Sequence, residues 1–485
     1  MLHATDRQEI RYSDSPSSSE QAGLHYLGLV ELAARIRTRE LSPVAVTAAQ
    51  LARIAARDGE LHSYALVMAD AAMAQAEAAQ AEIAAGRYRG PLHGVPIAVK
   101  DLCATAGFAT AAGMAIHQSH VPAEDATVVR RLKAAGAVLL GKLQLTEGAY
   151  SDHHPSITPP RNPWHADHWP GMSSSGAGVA TAAGLCYGAL GSDTGGSIRF
   201  PCAANGLTGL KPSWGRVSRH GVFALAPSMD HIGPMARSAV DVAALLQAIA
   251  GRDAMDPTAA LDAVPDSLAM ADEGVRGLRI GIDAAWNNES VDAATQAVLK
   301  DAAEALRALG ARTIDLRLPD VTQAVADWFA LCAVEAAVAH EATYPARKDA
   351  YGPVLASVIE AGLRVHGTEL QKILLRRMDL RGRFAALFGG HVDLLLIPVQ
   401  PMASPTVAAM RTLGEDPALV SALLRCTCPF DLTGHPTITL PGGFTTAGMP
   451  IAFQLVAANM DETTLLRAGA AFQAVTAWHR RHPLD

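Results

Sequence analysis

Apolar side chains in the first part of the chain recur at intervals of three and four residues, which predicts helices. Residues 24–57 show this pattern, and its clearest set is Leu29, Leu32, Ala33 and Ile36. Ser42 followed by Pro43 is typical of a helix start, because serine can cap the first turn and proline fits its first position. An alanine-rich stretch at 68–87 predicts a further helix. The chain therefore opens with helices.

The pattern changes at residues 94–102, GVPIAVKDL, where a short apolar run bounded by glycine and proline predicts a buried strand ending at Lys100. From there, predicted strands and helices alternate along the chain. The predicted strands are 94–102, 137–143, the end of 178–190, 277–283, 313–318, 393–399, 437–443 and 451–457. The predicted helices are 127–136, the start of 178–190, 292–310 and almost all of 323–387.

This alternation favours an α/β fold with a mixed, twisted β-sheet covered by helices on both faces. A length of 485 residues would suggest about three domains at roughly 150 residues each. However, the chain shows neither a repeat of fixed period nor a Pro/Ser-rich linker between folded halves. We therefore expect a single large domain over residues 23–485, preceded by a loose polar tail at 1–22.

Composition and charge exclude several classes of protein. Hydrophobic residues make up 49% of the chain, which argues against disorder. A net charge of −7 and a pI near 6.2 argue against a protein that binds nucleic acid through bulk positive charge. Six cysteines without CxxC spacing are expected to be buried and reduced rather than disulfide-bonded. The polar start does not resemble a signal peptide, so we expect a cytoplasmic location.

Four features resemble known sites or segments but lack what those sites or segments need. Residues 136–143, GAVLLGKL, lack the hydroxyl that a P-loop places after its lysine, and Gly176–Gly178 lack the strand that precedes a dinucleotide-binding turn. Residues 169–192 carry no charge, but Gly, Ser and Ala dominate them, so we do not expect a membrane span. A cluster of loop histidines shows no metal-binding spacing and is expected to be solvated; its members are His153, His154, His165 and His168.

Two serine-bearing, glycine-rich turns, 170–178 and 191–201, flank one predicted helix. In the second turn, DTGGS, Gly195 and Gly196 allow the backbone to approach a ligand closely, and Ser197 follows directly. A hydroxyl beside convergent N–H groups is what acyl transfer requires, because it combines a nucleophile with an oxyanion hole. The alternative is a tight glycine turn with an idle serine.

A serine nucleophile also needs a base, and neither turn contains a histidine. Lys100 ends an apolar strand, and burial there would lower its proton affinity enough for it to accept a proton near neutral pH. The alternative is that Lys100 forms an ion pair with the neighbouring Asp101.

Four segments in order along the chain resemble the amidase signature family: HGVPIAVKD at 93–101, GMSSSGAG at 171–178, the stretch 191–221 that begins GSDTGGSIRFP, and TGHPTITLPGGF at 433–444. The resemblance implies the amidase signature fold and a Ser–cisSer–Lys triad. It implies that Ser197 is the acyl-forming nucleophile, that Ser173 is the bridging serine after a cis peptide bond, and that Lys100 is the general base.

The same resemblance assigns supporting roles. It implies an oxyanion hole formed by backbone N–H groups of Thr194, Gly195, Gly196 and Ser197. It also implies hydrogen-bond support from Ser174, Asp193 and Arg199, the last anchoring the loop. We expect a substrate pocket bounded by the loop 151–165, by the helical region 323–387, and by Thr146, Tyr150, Met172 and Trp328. Met172 departs from the family, which commonly has glycine there.

The implied activity is hydrolysis of C–N bonds in small neutral amides, with aryl esters or carbamates as further substrates and without a metal or organic cofactor. One alternative is the glutaminase subunit of a tRNA-dependent amidotransferase, which acts with a partner chain. Another is a catalytically inactive binding or scaffold protein of the same fold. We expect neither a nucleic-acid partner nor a membrane partner, and whether the chain forms a homodimer is left open.

Overall fold

A computed structural model describes residues 23–259 and 264–483, so the tail predicted at 1–22 lies outside the described residues. The strands are β1 Tyr64–Val67, β2 Pro96–Lys100, β3 Val138–Leu143, β4 Gly188–Asp193, β5 Thr208–Lys211, β6 His231–Ala236, β7 Arg279–Ile282, β8 Arg312–Asp315, β9 Leu394–Pro398, β10 Thr437–Phe444 and β11 Pro450–Ala457.

The α-helices, in chain order, are α1 Leu29–Arg37, α2 Pro43–Leu61, α3 Ala69–Ala84, α4 Thr127–Ala134, α5 Ser175–Ala182, α6 Arg199–Asn205, α7 Ala239–Ile249, α8 Ala284–Asn288, α9 Ala293–Ala308, α10 Thr322–Ala339, α11 Pro353–Gly362, α12 Gly367–Phe388, α13 Val407–Arg411, α14 Pro417–Leu424, α15 Cys428–Thr433 and α16 Glu462–Val475. Short 3-10 turns connect several of these elements.

The eleven strands of the described residues belong to one mixed sheet, in the order β1-β3-β2-β4-β6-β5-β10-β11-β9-β7-β8. β2 is parallel to β3 and β4, and β7 is parallel to β8 and β9. The other neighbouring pairs are antiparallel. The last two strands of the chain, β10 and β11, lie inside the sheet rather than at its edge. The predicted mixed sheet in a single-domain α/β fold is confirmed.

Strands β2, β3 and β4 are buried at every position, which explains why β2 and β3 are mostly apolar and do not alternate between apolar and polar residues. Helices cover the sheet: α3 packs on β3, α7 on β6 and α16 on β10. The start of α2 is as predicted, because the Ser42 hydroxyl accepts the Ala45 N–H at 3.1 Å and Pro43 occupies the first turn.

The region 323–387 folds into α10, α11 and α12, with an irregular segment between α10 and α11 that contains the 3-10 turn Lys348–Ala350. Within the described residues, α10 is the one helix long and apolar enough to cross a membrane by length and composition, and half of it is buried in the protein. The uncharged stretch 169–192 is not a spanning helix; it forms a turn, α5 and most of β4.

The connectivity brings three distant segments together. Lys100 is the last residue of β2, and Asp193 is the last residue of the adjacent parallel strand β4. The carboxyl ends of neighbouring parallel strands meet at one edge of the sheet, where α/β proteins place their ligands. The turn before α5 returns to the same edge and carries Ser173 and Ser174.

Candidate active site

The Lys100 side chain is completely buried at this edge of the sheet. Its Nζ lies 2.7 Å from the Ser173 hydroxyl, 2.9 Å from the Ser174 hydroxyl and 2.8 Å from the Ser192 hydroxyl. Burial lowers the pKa of Lys100 to about 7, although the nearby Asp193 carboxylate opposes this shift. A neutral amine with three hydroxyl partners can accept a proton from one of them.

Lys100 does not pair with Asp101, so that alternative is wrong. Successive residues of a strand point to opposite faces of the sheet. The Asp101 carboxylate lies instead 3.1 Å from the ammonium of Lys142, the lysine of the P-loop-like segment. Lys142 also donates to the carbonyl of Cys103 and to the hydroxyl of Thr110. Within the described residues, no carboxylate oxygen lies within 4.0 Å of Lys100 Nζ.

Ser174 joins the two serine-bearing turns. Its hydroxyl donates to the carbonyl of Ser192 at 3.1 Å, and its N–H donates to the carbonyl of Ser197 at 3.3 Å. The peptide bond between Met172 and Ser173 is cis. Ser173 is completely buried, whereas Ser197 is partly exposed. Of the two, Ser197 is therefore the serine that an incoming ligand can reach.

The Asp193 carboxylate shapes the turn that holds Ser197. It accepts the N–H of Gly196 at 2.6 Å, the N–H of Ile198 at 3.0 Å and the Nε–H of Arg199 at 3.0 Å. Burial alone would raise the pKa of Asp193, but the Arg199 guanidinium and these hydrogen bonds hold it well below its usual range. Asp193 is therefore ionised at neutral pH and fixes the turn.

Arg199 links this turn to the C-terminal part of the chain. Its guanidinium donates to Asp193 at 2.8 Å, to Asp431 at 2.5 Å and to the carbonyl of Thr427 at 2.9 Å. Burial opposes its charge, yet the two carboxylates raise the pKa of Arg199. Burial raises the pKa of Asp431, the second carboxylate on a single guanidinium. The predicted anchoring role of Arg199 thus involves a partner, Asp431, that the sequence did not indicate.

Two side chains hold the carbonyls of the DTGGS turn. Trp328 Nε1–H donates to the carbonyl of Thr194 at 2.7 Å, and the Thr427 hydroxyl donates to the carbonyl of Gly195 at 2.7 Å. Because C=O and N–H of a trans peptide point in opposite directions, these bonds turn the N–H groups of Gly195 and Gly196 away from Trp328 and Thr427. A Cβ on Gly195 would lie 2.7 Å from Trp328 Cε2, so this close approach requires glycine.

The predicted oxyanion hole needs one correction. The N–H of Gly196 donates to Asp193 and is therefore not directed toward a substrate. Within the part of the chain that the structure describes, the N–H groups of Gly195 and Ser197 carry no hydrogen bond. Thr194 belongs to the same turn, and its hydroxyl donates to Asp230 at 2.6 Å. Of the four predicted N–H donors, those of Gly195 and Ser197 are therefore available to a ligand, and the role of the Thr194 N–H stays a prediction.

A cavity of about 220 Å³ opens beside the site. Its lining includes Ser192, Thr194 and Ala149, and its opposite wall is the loop 219–227. The predicted pocket residues do not line this cavity, and their contact with a substrate stays a prediction. Thr146 is buried, and its hydroxyl donates to the carbonyl of Tyr150 at 2.6 Å. Trp328 packs behind the DTGGS turn and donates to the carbonyl of Thr194. Tyr150 and Met172 are half-buried against the core.

The prediction that all four loop histidines are solvated is wrong. His153 is half-buried, with Nε2 3.2 Å from the Ser175 hydroxyl, and burial together with the charge of Lys100 lowers its pKa to about 4. His168 is also half-buried, with Nδ1 2.7 Å from the carbonyl of Ser404, whereas His165 is exposed. No group of three potential ligands among the described residues could hold a metal ion. All six cysteines are buried and free.

Known proteins with similar sequences include amidases and amidotransferase chains. A family model described as Amidase matches residues 45–466. "Putative amidase AmiD" of Mycobacterium tuberculosis is 49% identical over 472 residues, covering 96% of this chain and 98% of that protein. A glutamyl-tRNA(Gln) amidotransferase chain of Moorella thermoacetica is 38% identical over 488 residues, covering 95% of this chain and 99% of that protein.

Solved structures agree with this assignment. The structure of 6-aminohexanoate cyclic dimer hydrolase complexed with substrate superposes with a TM-score of 0.86 at 28% identity, covering 95% of this chain and 99% of that one. Because the family model and these relatives extend over nearly the whole chain, the match concerns the complete fold and not one motif. The chain therefore belongs to the amidase family of amide-cleaving hydrolases.

Proposed function

We propose that the protein hydrolyses small neutral amides through an acyl-enzyme on Ser197, with Ser173 and Lys100 as its proton relay. The observation that carries this proposal is the environment of Lys100. A buried amine lies 2.7 Å from the Ser173 hydroxyl, with no carboxylate within ion-pair distance among the described residues. Burial disfavours its charged form, so it serves as a base near neutral pH.

In the acylation step, Ser197 Oγ forms a bond to the substrate carbonyl carbon. Its proton passes to Ser173, whose own proton passes to Lys100. The N–H groups of Gly195 and Ser197 stabilise the oxyanion that develops on the carbonyl oxygen. The C–N bond then breaks, and the proton held by Lys100 returns through Ser173 to the departing nitrogen. A neutral amine leaves, and the acyl group remains on Ser197.

Deacylation repeats the relay with water in place of the amine. Water attacks the ester carbon while its proton passes through Ser173 to Lys100. The ester C–O bond then breaks, the proton returns to Ser197 Oγ, and a carboxylic acid is released. Each group ends in its starting state, and every proton is transferred between groups named here or water.

The charged residues that line the cavity favour neutral substrates. Of the charged residues around the cavity, Asp230 accepts hydrogen bonds from Thr194, Leu225 and Ala226, and Arg219 lies 3.7 Å from Asp256. The acceptor sites of Asp230 are thus occupied within the protein, and Arg219 is paired with Asp256, so neither residue is a free partner for an ionic substrate. We infer that uncharged amides are preferred, and that aryl esters and carbamates, which have better leaving groups, are also cleaved.

The glutaminase alternative receives less support than a stand-alone amidase. The relative named as an amidase is 49% identical, whereas the amidotransferase chain is 38% identical. The two proposals make different predictions for the isolated chain. Turnover of simple amides by the purified protein without a second polypeptide supports the amidase, and activity that requires a partner chain supports the glutaminase.

The test of the mechanism combines kinetics with intact mass. Wild type, Ser197→Ala and Lys100→Met are compared on one neutral aryl amide, with Ser42→Ala as a control serine remote from the site. We expect loss of at least a thousandfold in both site variants and none in the control. A fluorophosphonate should add one adduct to wild type and none to Ser197→Ala. Labelling that survives in Ser197→Ala would overturn the assignment of the nucleophile.

A further inference from the structure

The cavity beside the site lies on the Lys100 side of the DTGGS turn. Ser192, which forms part of its floor, has its hydroxyl 2.8 Å from Lys100 Nζ. Thr194, also part of the floor, is three residues from Ser197. Ser192 therefore connects the cavity to the base of the proposed relay, although Lys100, Ser173 and Ser197 do not line the cavity themselves.

The walls of the cavity are mainly apolar. They are formed by Leu102, Val222, Phe223, Leu225 and Ile232. The charged lining groups are already engaged, as Asp230 accepts three hydrogen bonds and Arg219 faces Asp256. A volume of about 220 Å³ is below the 300–1,000 Å³ typical of sites for drug-sized ligands. The cavity therefore suits one uncharged, apolar group of about ring size rather than a whole substrate.

Phe223 gives this wall an aromatic surface of defined orientation. Its half-buried ring packs between two histidines, with centroids 5.8 Å from His117 and 5.4 Å from His340. Burial lowers the pKa of both histidines, so both are neutral near pH 7. The ring is therefore held between uncharged neighbours, and a second aromatic ring in the cavity would meet it in the offset or edge-on geometry that such pairs prefer.

We propose that this cavity binds the amine half of the substrate, and that it selects apolar, preferably aromatic, amine leaving groups. This inference rests on the proposed acyl-enzyme mechanism. The departing nitrogen must receive its proton from the relay of Ser173 and Lys100, so the nitrogen and its substituent lie on the Lys100 side of the scissile bond. The acyl half then lies on the other side, outside the loop 219–227.

A leaving-group site has a kinetic signature that an acyl site lacks. Acylation depends on the amine, but deacylation starts from the same acyl-enzyme whatever amine has left. We therefore compare the anilide, the hexylamide and the primary amide of one acyl group. Phe223→Ala should lower kcat/KM for the anilide about tenfold relative to the primary amide, because a ring-to-ring contact is lost. The deacylation rate constant, measured with the p-nitrophenyl ester of the same acid, should stay unchanged.

Two further variants keep the test decisive. Val222→Trp fills the cavity and should also disfavour the anilide relative to the primary amide, so a misfolded Phe223→Ala does not end the test. Phe444→Ala is the matched control, since Phe444 is equally half-buried but packs on Trp164 at 5.0 Å at the far end of β10. It should leave the ratio of anilide to primary amide as in wild type.

The possible results separate the two proposals. An equal loss for anilide and primary amide in the cavity variants, or a changed deacylation rate constant, overturns the assignment of the cavity to the amine half. Absence of any covalent acyl group on Ser197 in wild type overturns the proposed function itself. A tenfold change in leaving-group preference with unchanged deacylation supports both.

Discussion

Activity should depend on pH through the ionisation of Lys100. An ordinary lysine has a pKa near 10.5, and burial lowers that of Lys100 to about 7. At pH 7.5, the free-base fraction is then roughly 0.75 instead of roughly 0.001. Burial therefore increases the amount of active base roughly 750-fold, which corresponds to about 4 kcal/mol. Because protonated Lys100 cannot accept a proton, kcat/KM should fall tenfold per pH unit below pH 7 and reach a plateau above pH 8.

The assay follows kcat/KM for a neutral aryl amide from pH 5.5 to 8.5, together with the rate constant for inactivation by a fluorophosphonate. The inactivation rate reports attack by Ser197 alone, so it excludes effects on deacylation or product release. Both profiles should share one limb with an apparent pKa near 7. The substrate carries no ionisable group, so the limb belongs to the enzyme.

Lys211 provides the control, since burial also lowers the pKa of Lys211 to about 7. Lys211 Nζ donates to the carbonyl of Pro212 and touches none of the catalytic hydroxyls. Lys211→Met should therefore keep the limb near pH 7. A flat profile between pH 5.5 and 8.5, a limb above pH 9, or a limb that disappears in Lys211→Met would refute the assignment to Lys100.

Three further outcomes follow from the supports of the site. Asp193→Asn should lower the free energy of unfolding by about 3 kcal/mol and kcat by at least a hundredfold, because Arg199 loses a buried partner; unchanged calorimetry would contradict this role. Gly195→Ala should lower Tm and reduce kcat at least tenfold, and adding Trp328→Leu should recover part of the Tm; a wild-type Tm in the single variant would show that the clash is absent. Ser42→Ala removes a helix cap and should cost about 1 kcal/mol in denaturant unfolding with kcat unchanged; a fall in kcat would show that this helix start affects the site.

Strong local signals in the sequence predict their elements correctly. The apolar run bounded by glycine and proline predicts a buried strand that ends at Lys100. The structure contains this strand at Pro96–Lys100, and every residue of it is buried. The strand His231–Ala236 escapes prediction, because Gly233 and Pro234 in its middle weaken a strand. Pairing with β4 on one side and β5 on the other holds this segment in place. Tertiary contacts thus override the local preference there.

The site likewise contains residues that the sequence predicts and residues that it does not. Lys100, Ser173 and Ser197 follow from ordered motifs, and the structure brings Lys100 and Ser173 into contact. Trp328 is predicted to bound the substrate pocket, which stays a prediction; the structure adds that its Nε1–H supports Thr194 across a separation of 134 residues. The predicted site does not include Ser192, whose hydroxyl contacts Lys100. Its position next to Asp193, at the end of a predicted strand, could have indicated that it belongs to the site. One sequence alone cannot show which distant side chain packs on a given turn.

The side chains that support the DTGGS turn come late in the order of synthesis. The residues that hold its carbonyls and its arginine, namely Trp328, Thr427 and Asp431, are translated long after Ser197. The strands that follow them, β10 and β11, insert into the middle of the sheet. A nascent chain that has emerged only as far as α6 would carry the lysine and both serines without a shaped oxyanion site. We therefore expect C-terminally truncated products, which lack these supports, to show no hydrolytic activity.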